Sequence, residues 1–370
     1  MINTRGKLLI ICVLVCLVSL NTARIGVRAQ PGGAIVINAD GSIWGTSLIQ
    51  RQGNIYSLAG NIYDMPITVS CSNIVLDGEG FALQGAGGWG TPGVAGLENS
   101  AAIDLACSNV TVRDFDIWGW ETGVAGAYDG NAVTDNNISR TENAIAIYAD
   151  KYIVNCNSFS DSIYGVYIKG SNNFVSQNQI AANYCGIMIY PTIETTVTEN
   201  NFTGNEVCLT IGTYDNFSYQ IYDNNFIIKS NSTVVETTSD ALGPSDTGTL
   251  PPWDNGSIGN YWSDYSAMYP NAAQVDNSSI GNTPYLIRTN PTVIDRYPLM
   301  TPASPRNTNQ SSSFETTNDD STPPFSKAEP ESSQSLRSRT IEFSFATAAI
   351  ISVASCIVVL AFRNKLFWLK

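Results

Sequence analysis

The sequence contains no histidine. That absence removes the commonest general base and metal ligand available near neutral pH. Basic residues are also scarce, with 19 Lys and Arg against 32 Asp and Glu and a formal net charge of -13. Such a chain is a poor match for nucleic acid, whose phosphates require a positive patch. Eight cysteines are present, but Cys12 and Cys16 lie near the start and Cys356 near the end. The remaining five, Cys71, Cys107, Cys156, Cys185 and Cys208, are odd in number and widely spaced, which is no disulfide framework. No 3.6-residue apolar period runs through the middle of the chain, and the leucine pattern of horseshoe repeats is missing.

What is present is a repeat of about 21 residues between Val110 and Phe226. One apolar series falls at Ile117, Ile138, Phe159, Ile180, Phe202 and Phe226, at spacings of 21, 21, 21, 22 and 24. A second falls five positions earlier, at Val112, Val133, Val154, Val175, Val197 and Ile221. Asparagine stands two positions before the first series at Asn136, Asn157, Asn178, Asn200 and Asn224. A fourth series, Gly123, Ala144, Gly165, Gly186 and Val207, is small in all but its last member. A period of this length indicates a solenoid, propeller or array. Each unit holds short alternating runs rich in Val, Ile, Tyr and Phe, separated by Asn, Ser and Gly, which are strand and turn signals.

Three short strands per coil fit a unit of this size, so the expected fold is all-β, a single-stranded parallel β-helix with coils ~4.8 Å apart. The asparagines then form a ladder at one bend, each amide bonding to the coils on either side.

Both ends of the chain differ from this middle. Residues 1–29 read as a secretory signal, with Arg5 and Lys7 before the apolar stretch Leu8 to Leu20 and a small-residue site at Val27-Arg28-Ala29. An uncleaved anchor is the other reading. Residues 30–300 are expected to form the β-helix ectodomain with its caps. Residues 301–340, rich in Ser, Thr, Pro and Asn, read as a disordered stalk. Residues 341–362 read as a transmembrane helix, because Phe343 to Phe362 carries no charge and is long enough to span a bilayer. Arg363, Lys365 and Lys370 then make 363–370 a cytoplasmic tail and place the ectodomain outside the cell.

Within the body, Ile74 to Phe81 is expected to be the first clear coil, aligned with Val110 to Ile117, and Gly85 to Gly96 a protruding loop. That loop is either functional or a tolerated insertion. Cys71 and Cys107 each open a Cys-Ser-Asn run and stack on adjacent coils, as a disulfide or as two buried thiols. Cys208 reads as core. Sequons at Asn109, Asn137, Asn201, Asn216, Asn231, Asn255, Asn277 and Asn309 are glycan acceptors in a secreted chain.

The residues after the small series should alternate inward and outward. Val124, Ile145, Val166, Ile187 and Cys208 are expected inside. The outward rows are then Ala125, Ala146, Tyr167, Met188 and Leu209, and Ala127, Tyr148, Lys169, Tyr190 and Ile211. Tyr148, Tyr167, Tyr190 and Lys169 are therefore the ligand-binding candidates, suited to stacking on a sugar or contacting another protein. Aromatic stacking that stabilises neighbouring coils is the alternative. No carboxylate pair for glycoside hydrolysis falls in these rows, so no catalytic residue is assigned. Asp114, Asp116 and Glu121 form the one acidic cluster, which Ca²⁺ would suit. Solvated surface acids are the other reading, and no cofactor is expected.

The coil pattern, Ile74-Val75-Leu76-Asp77-Gly78-Glu79-Gly80-Phe81, Gly259-Asn260-Tyr261-Trp262-Ser263-Asp264-Tyr265, Asn282-Thr283-Pro284-Tyr285 and Asp295-Arg296-Tyr297-Pro298-Leu299-Met300 resemble a known group. It is the NosD-like group of right-handed parallel β-helix proteins, within the carbohydrate-binding and sugar-hydrolysis (CASH) domains. The resemblance spans roughly residues 35–300. With a signal, a stalk and an anchor it implies an archaeal cell-surface protein. Its expected partner is a polysaccharide or glycan, or a cell-surface protein, bound without catalysis. Polysaccharide lyase or glycoside hydrolase activity is the first alternative, and a copper-accessory role the second. Copper sites use His, Met or Cys, and this body has no histidine and only scattered methionines, Met65, Met188, Met268 and Met300.

Overall fold

The computed structural model describes residues 26–28, 33–87, 101–190, 193–212, 218–229, 233–238, 250–289 and 292–303. The chain divides into units Met1–Ser311 and Ser312–Lys370, and the second lies wholly outside the described residues. The expected stalk from 304 onward, the transmembrane helix, the cytoplasmic tail and residues 1–25 of the expected signal also lie outside them. So does most of the Gly85 to Gly96 loop. Among the described residues no helix is long and apolar enough to cross a membrane.

The described chain is an all-β parallel solenoid of about seven turns. Each turn lays one strand on each of three sheets, with ten, ten and nine strands. The ladder sheet holds three-residue strands such as Asn137–Ser139, Ser158–Ser160 and Gln179–Ala181. A second short-strand sheet holds Ala132–Thr134, Ile153–Asn155 and Phe174–Ser176. The long-strand sheet holds Thr122–Gly126, Asn143–Ile147, Tyr164–Ile168 and Cys185–Ile189. Gly26–Arg28, within the segment read as a signal, pairs in parallel with Asn61–Tyr63.

Strands this short require a sharp corner after each, and most corners among the described residues are built the same way. A residue in the left-handed region turns the chain, and the next residue faces the core. Asp114, Asp135, Cys156, Gln177, Glu199 and Asp223 make one such column, with φ between 56° and 58°. Asn109, Lys151, Asn172 and Glu194 belong to the second column, and Arg140, Asp161 and Ala182 to the third. Each non-glycine residue held there costs roughly 1–2 kcal/mol. The inward-facing residue that follows offsets this by satisfying backbone groups at the bend.

The asparagine column shows how. Asn136, Asn157, Asn178, Asn200 and Asn224 are all buried. Asn178 Oδ1 accepts from the Asn157 backbone N–H at 2.9 Å and from Asn157 Nδ2 at 3.0 Å. Asn178 Nδ2 in turn donates to Val154 O at 2.9 Å, Ser176 O at 2.9 Å and Asn200 Oδ1 at 2.9 Å. The column runs one member further than the sequence reading, because Asn224 Nδ2 donates to Asn260 Oδ1 at 3.0 Å. The other two corners carry shorter polar columns. Thr141, Ser162, Asn183 and Asn205 stack at one, with Asn183 Nδ2 donating to Asn205 Oδ1 at 3.1 Å. Asn131, Tyr152 and Asn173 stack at the other, with Asn131 Nδ2 donating to the Tyr152 hydroxyl at 2.9 Å.

Inside these corners the two apolar series fill the core, and every member from Val112 to Ile221 and from Ile117 to Phe226 is fully buried. Two alignments differ from the sequence reading. Val110 pairs with Ile74 as expected, but Ile117 pairs with Leu83 and not Phe81, because Asp77 to Gly80 adds two residues at the corner. In the coil from Cys185 the extra residue shifts the long strand. Ile187 pairs with Leu209, and Met188 with Thr210. Cys208 therefore lies beside Gly186 in the small-residue column, and Val207 pairs with Cys185. That column must be small, since a side chain on Gly165 would meet the Gly186 carbonyl 2.5 Å away.

Both ends are covered. At the first, Ile43–Trp44 and Ile49–Gln52 fold back as antiparallel strands on Ile35–Ile37 and Ile55–Leu58. At the other, the core ring stack continues out of the last coil. Phe202 and Phe226 lie 4.8 Å apart, Phe226 and Trp262 4.6 Å, and Trp262 and Tyr285 4.3 Å. Asp295 pins this cap from a buried position, accepting from Asn260 N at 2.6 Å, Trp262 Nε1 at 2.9 Å and Tyr297 N at 3.0 Å. Asp254 pairs with Arg296 beside it at 2.6 Å.

Two outcomes follow for stability. Asn178→Ala removes three bonds donated by Nδ2 and two accepted by Oδ1, so denaturant unfolding should show a loss of roughly 3–5 kcal/mol. Asn201→Ala, which removes only an outer-face bond to Gln179, should cost less than about 1 kcal/mol. Burial outweighs the three donors at Asp295 and raises its pKa from 3.8 to about 6. A raised carboxylate pKa contributes stability that is complete below the unfolded value and is lost as pH climbs through the folded one. Stability measured between pH 4 and pH 7 should show roughly 2 kcal/mol of this loss, and Asp295→Asn should remove that pH dependence.

Candidate tyrosine surface on the long-strand sheet

From Thr122 to Gly212 the long strands have five or six residues against three or four in the other sheets, so this sheet presents the broadest outer face. Its outward rows follow from the paired registers. One row runs Asp104, Ala125, Ala146, Tyr167, Met188, Thr210 and Glu236. Another, at the start of the strands, runs Thr122, Asn143, Tyr164 and Cys185. A third follows the strand ends and holds Tyr148, Lys169 and Tyr190.

These rows bring the tyrosine candidates together. Tyr148 and Tyr167 have ring centroids 5.5 Å apart, and Tyr167 and Tyr190 5.3 Å. Tyr164 joins them edge-on, 6.3 Å from Tyr167. Tyr148 is 53% exposed, whereas Tyr164, Tyr167 and Tyr190 are half-buried. Lys169 stands exposed between Tyr148 and Tyr190 and makes no ion pair among the described residues. Leu209 and Ile211, expected on this face, are instead buried in the core, because the longer coil reverses their direction. Tyr164 escaped the sequence reading, which counted only forward from the small residue. Its signal is its place one position before Gly165.

Burial and neighbouring charge set the electrostatics of the patch. Tyr148 is raised above the usual phenol value by burial first, then by the Glu142 carboxylate and by Tyr190. Burial also raises Tyr164 and Tyr167, so these three hydroxyls stay protonated at neutral pH. Glu142 stands one coil from Glu121, its N–H donating to Glu121 O at 2.8 Å. The surface therefore offers ring faces, neutral hydroxyls, one ammonium and a flanking carboxylate. Asp104 and Glu236, the carboxylates of its central row, stand six coils or ~29 Å apart, too far to act on one glycosidic bond.

The acidic candidates do not converge. Asp114 is at a left-handed corner beside Arg113, Asp116 is in the ladder sheet accepting from Asn137 Nδ2 at 2.8 Å, and Glu121 lies past the next corner. The Asp114 carboxyl is raised by burial first and then by Asp77 and Asp135. No group of three or more His, Cys, Asp or Glu able to hold a metal occurs among the described residues.

A family model described as "Periplasmic copper-binding protein (NosD)" matches residues 62–267, which is 206 of the 370 residues. The chain belongs to the NosD family. Comparison with curated proteins found no match. The matched span covers the coils that carry the three polar columns and the tyrosine surface, so the NosD β-helix supplies the scaffold on which that surface is built. The copper named in the NosD description requires soft or imidazole donors that can converge. This NosD-family chain has no histidine, and its Cys185 and Cys208 thiols are buried and pushed up to about 12. Cys156 is at a corner where its thiol donates to Gln177 Oε1 at 3.3 Å. Cys71 and Cys107 stand at matching corners of adjacent coils, but no group of three or more His, Cys, Asp or Glu that could hold a metal occurs among the described residues, so they do not fit a copper site of that kind.

Proposed function

We propose that this NosD-family chain is a membrane-anchored extracellular β-helix that binds glycan without cleaving it. The tyrosine cluster carries the proposal. A sugar ring presents an apolar face that stacks on an aromatic ring, with hydroxyls that bond to polar edges. Tyr148 and Tyr190 stand two coils apart in one row, ~9.6 Å at the coil spacing, with Tyr167 between them in the adjacent row. That span matches an extended disaccharide lying along the solenoid axis. Lys169, between the two outer tyrosines, favours an acidic sugar at the middle position. Anchoring rests on the uncharged run Phe343 to Phe362.

The family description favours a copper role as a second reading, and the donor chemistry argues against it. Titration of the purified chain with Cu(I) and with Cu(II) should show no stoichiometric uptake. Tight binding of one equivalent would restore the copper reading.

For the glycan reading, an array followed by calorimetry should find oligosaccharide binding. A Tyr148, Tyr167 and Tyr190→Ala variant should weaken it about a hundredfold, from three ring faces at roughly 1 kcal/mol each. Unchanged affinity in that variant removes the tyrosine surface from the proposal, and capture of a surface protein with no glycan binding favours a protein partner. No reducing ends or unsaturated products should appear. Their release, abolished by Glu142→Gln, would make the chain an enzyme.

A further inference from the structure

We propose that Cys71 and Cys107 form a disulfide linking two adjacent coils when the chain meets a disulfide donor. The corner that carries them is the observation. Before it, Val69 pairs with Leu105, and after it Ile74 pairs with Val110. The two intervening segments have the same length and nearly the same sequence, Ser70-Cys71-Ser72-Asn73 and Ala106-Cys107-Ser108-Asn109. Each turns on its asparagine, with φ of 61° at Asn73 and 58° at Asn109, and Asn109 Nδ2 donates to Asn73 Oδ1 at 3.3 Å. Two corners with matched flanks and matched turns superimpose at one coil spacing. The cysteine Cα atoms are therefore ~4.8 Å apart, inside the ~4.4–6.8 Å range that disulfides span.

Cys71 also lies close enough to act on the Cys107 thiol. Burial pushes the Cys107 thiol up, and the neighbouring Cys71 adds to it. Both are thiols in this structure, with Cys107 Sγ donating to Val69 O at 3.3 Å. Cys185 likewise raises the Cys208 thiol, but those two stand one residue out of register, and the Cys185 thiol is turned to Thr210 Oγ1 at 3.3 Å. In the same column the next coil holds Tyr128. Cys185 pairs with Val207, Cys208 lies beside Gly186, and Cys156 is flanked by Asp135 and Gln177.

The reaction is a thiol–disulfide exchange in two steps. The less buried Cys71, as thiolate, attacks one sulfur of the donor disulfide, forming a mixed disulfide and releasing one donor thiol. Cys107 then attacks the Cys71 sulfur and releases the second. Two electrons pass to the donor, and the two cysteine protons end on the two released thiols. Such donors operate outside the cytosol, where the proposed function places the ectodomain.

Peptide mapping of the full chain tests this without any variant. After incubation with oxidised glutathione and alkylation under denaturing, non-reducing conditions, a peptide joining Cys71 to Cys107 is expected, two hydrogens lighter than its parts. Cys156, Cys185 and Cys208 should be alkylated. Alkylation of both Cys71 and Cys107, or either one joined to a different cysteine, overturns the proposal. Reduction should lower the Tm of the oxidised wild type and leave a Cys71→Ala, Cys107→Ala chain unchanged. An equal shift in both counts against it.

Discussion

The corner is the constraint on which the rest of this solenoid depends. Strands of three to five residues can close a coil only if the chain reverses sharply between them, and the left-handed conformation supplies that reversal. Each reversal leaves the following residue facing inward, with backbone groups that water cannot reach. A buried unpaired amide or carbonyl costs about 1–3 kcal/mol, and every coil has three corners. A side chain that both donates and accepts, and is short enough to reach the next coil, resolves the conflict. Asparagine meets that description best, which is why it fills the longest column and recurs in the other two.

Because the corners and the core close the scaffold, the outer faces carry almost none of the folding constraint. The ladder sheet presents Asn137, Gln179, Asn201 and Asn225, a polar row with small bonds between neighbours. The long-strand sheet presents tyrosines at the same structural positions. A rigid sheet holds those rings at a set spacing, so little ordering remains to be done when a flat ligand arrives. Family membership therefore accounts for the scaffold, and the surface rows account for what the scaffold can bind. The same separation explains how a chain without histidine can belong to a family described by copper.

Regular spacing made most of the scaffold readable from the residues. Where the coil length stayed at 21, the apolar series, the first ladder and the tyrosine rows came straight from the alignment. Where one or two residues were added, periodicity misled. A single insertion before Val207 turned Leu209 and Ile211 from the expected outer face into the core. Two residues at Asp77 to Gly80 moved Leu83 into the place expected for Phe81. The last ladder member, Asn260, stands 36 residues after Asn224, and no fixed period points to it.

The sequence by itself determined the parallel coil, its interior and the asparagine column, because side chains that must stack at one spacing have to recur at one period. It also limited the chemistry, since residues that are missing cannot act. Only the folded coils settled that Tyr164 joins the other tyrosines, that Leu209 and Ile211 turn inward, and that the acids at 114, 116 and 121 point to different faces. Those outcomes depend on strand register and corner length. Each is set by hydrogen bonds between coils distant in the chain, and a one-residue change in either turns a side chain to the opposite face.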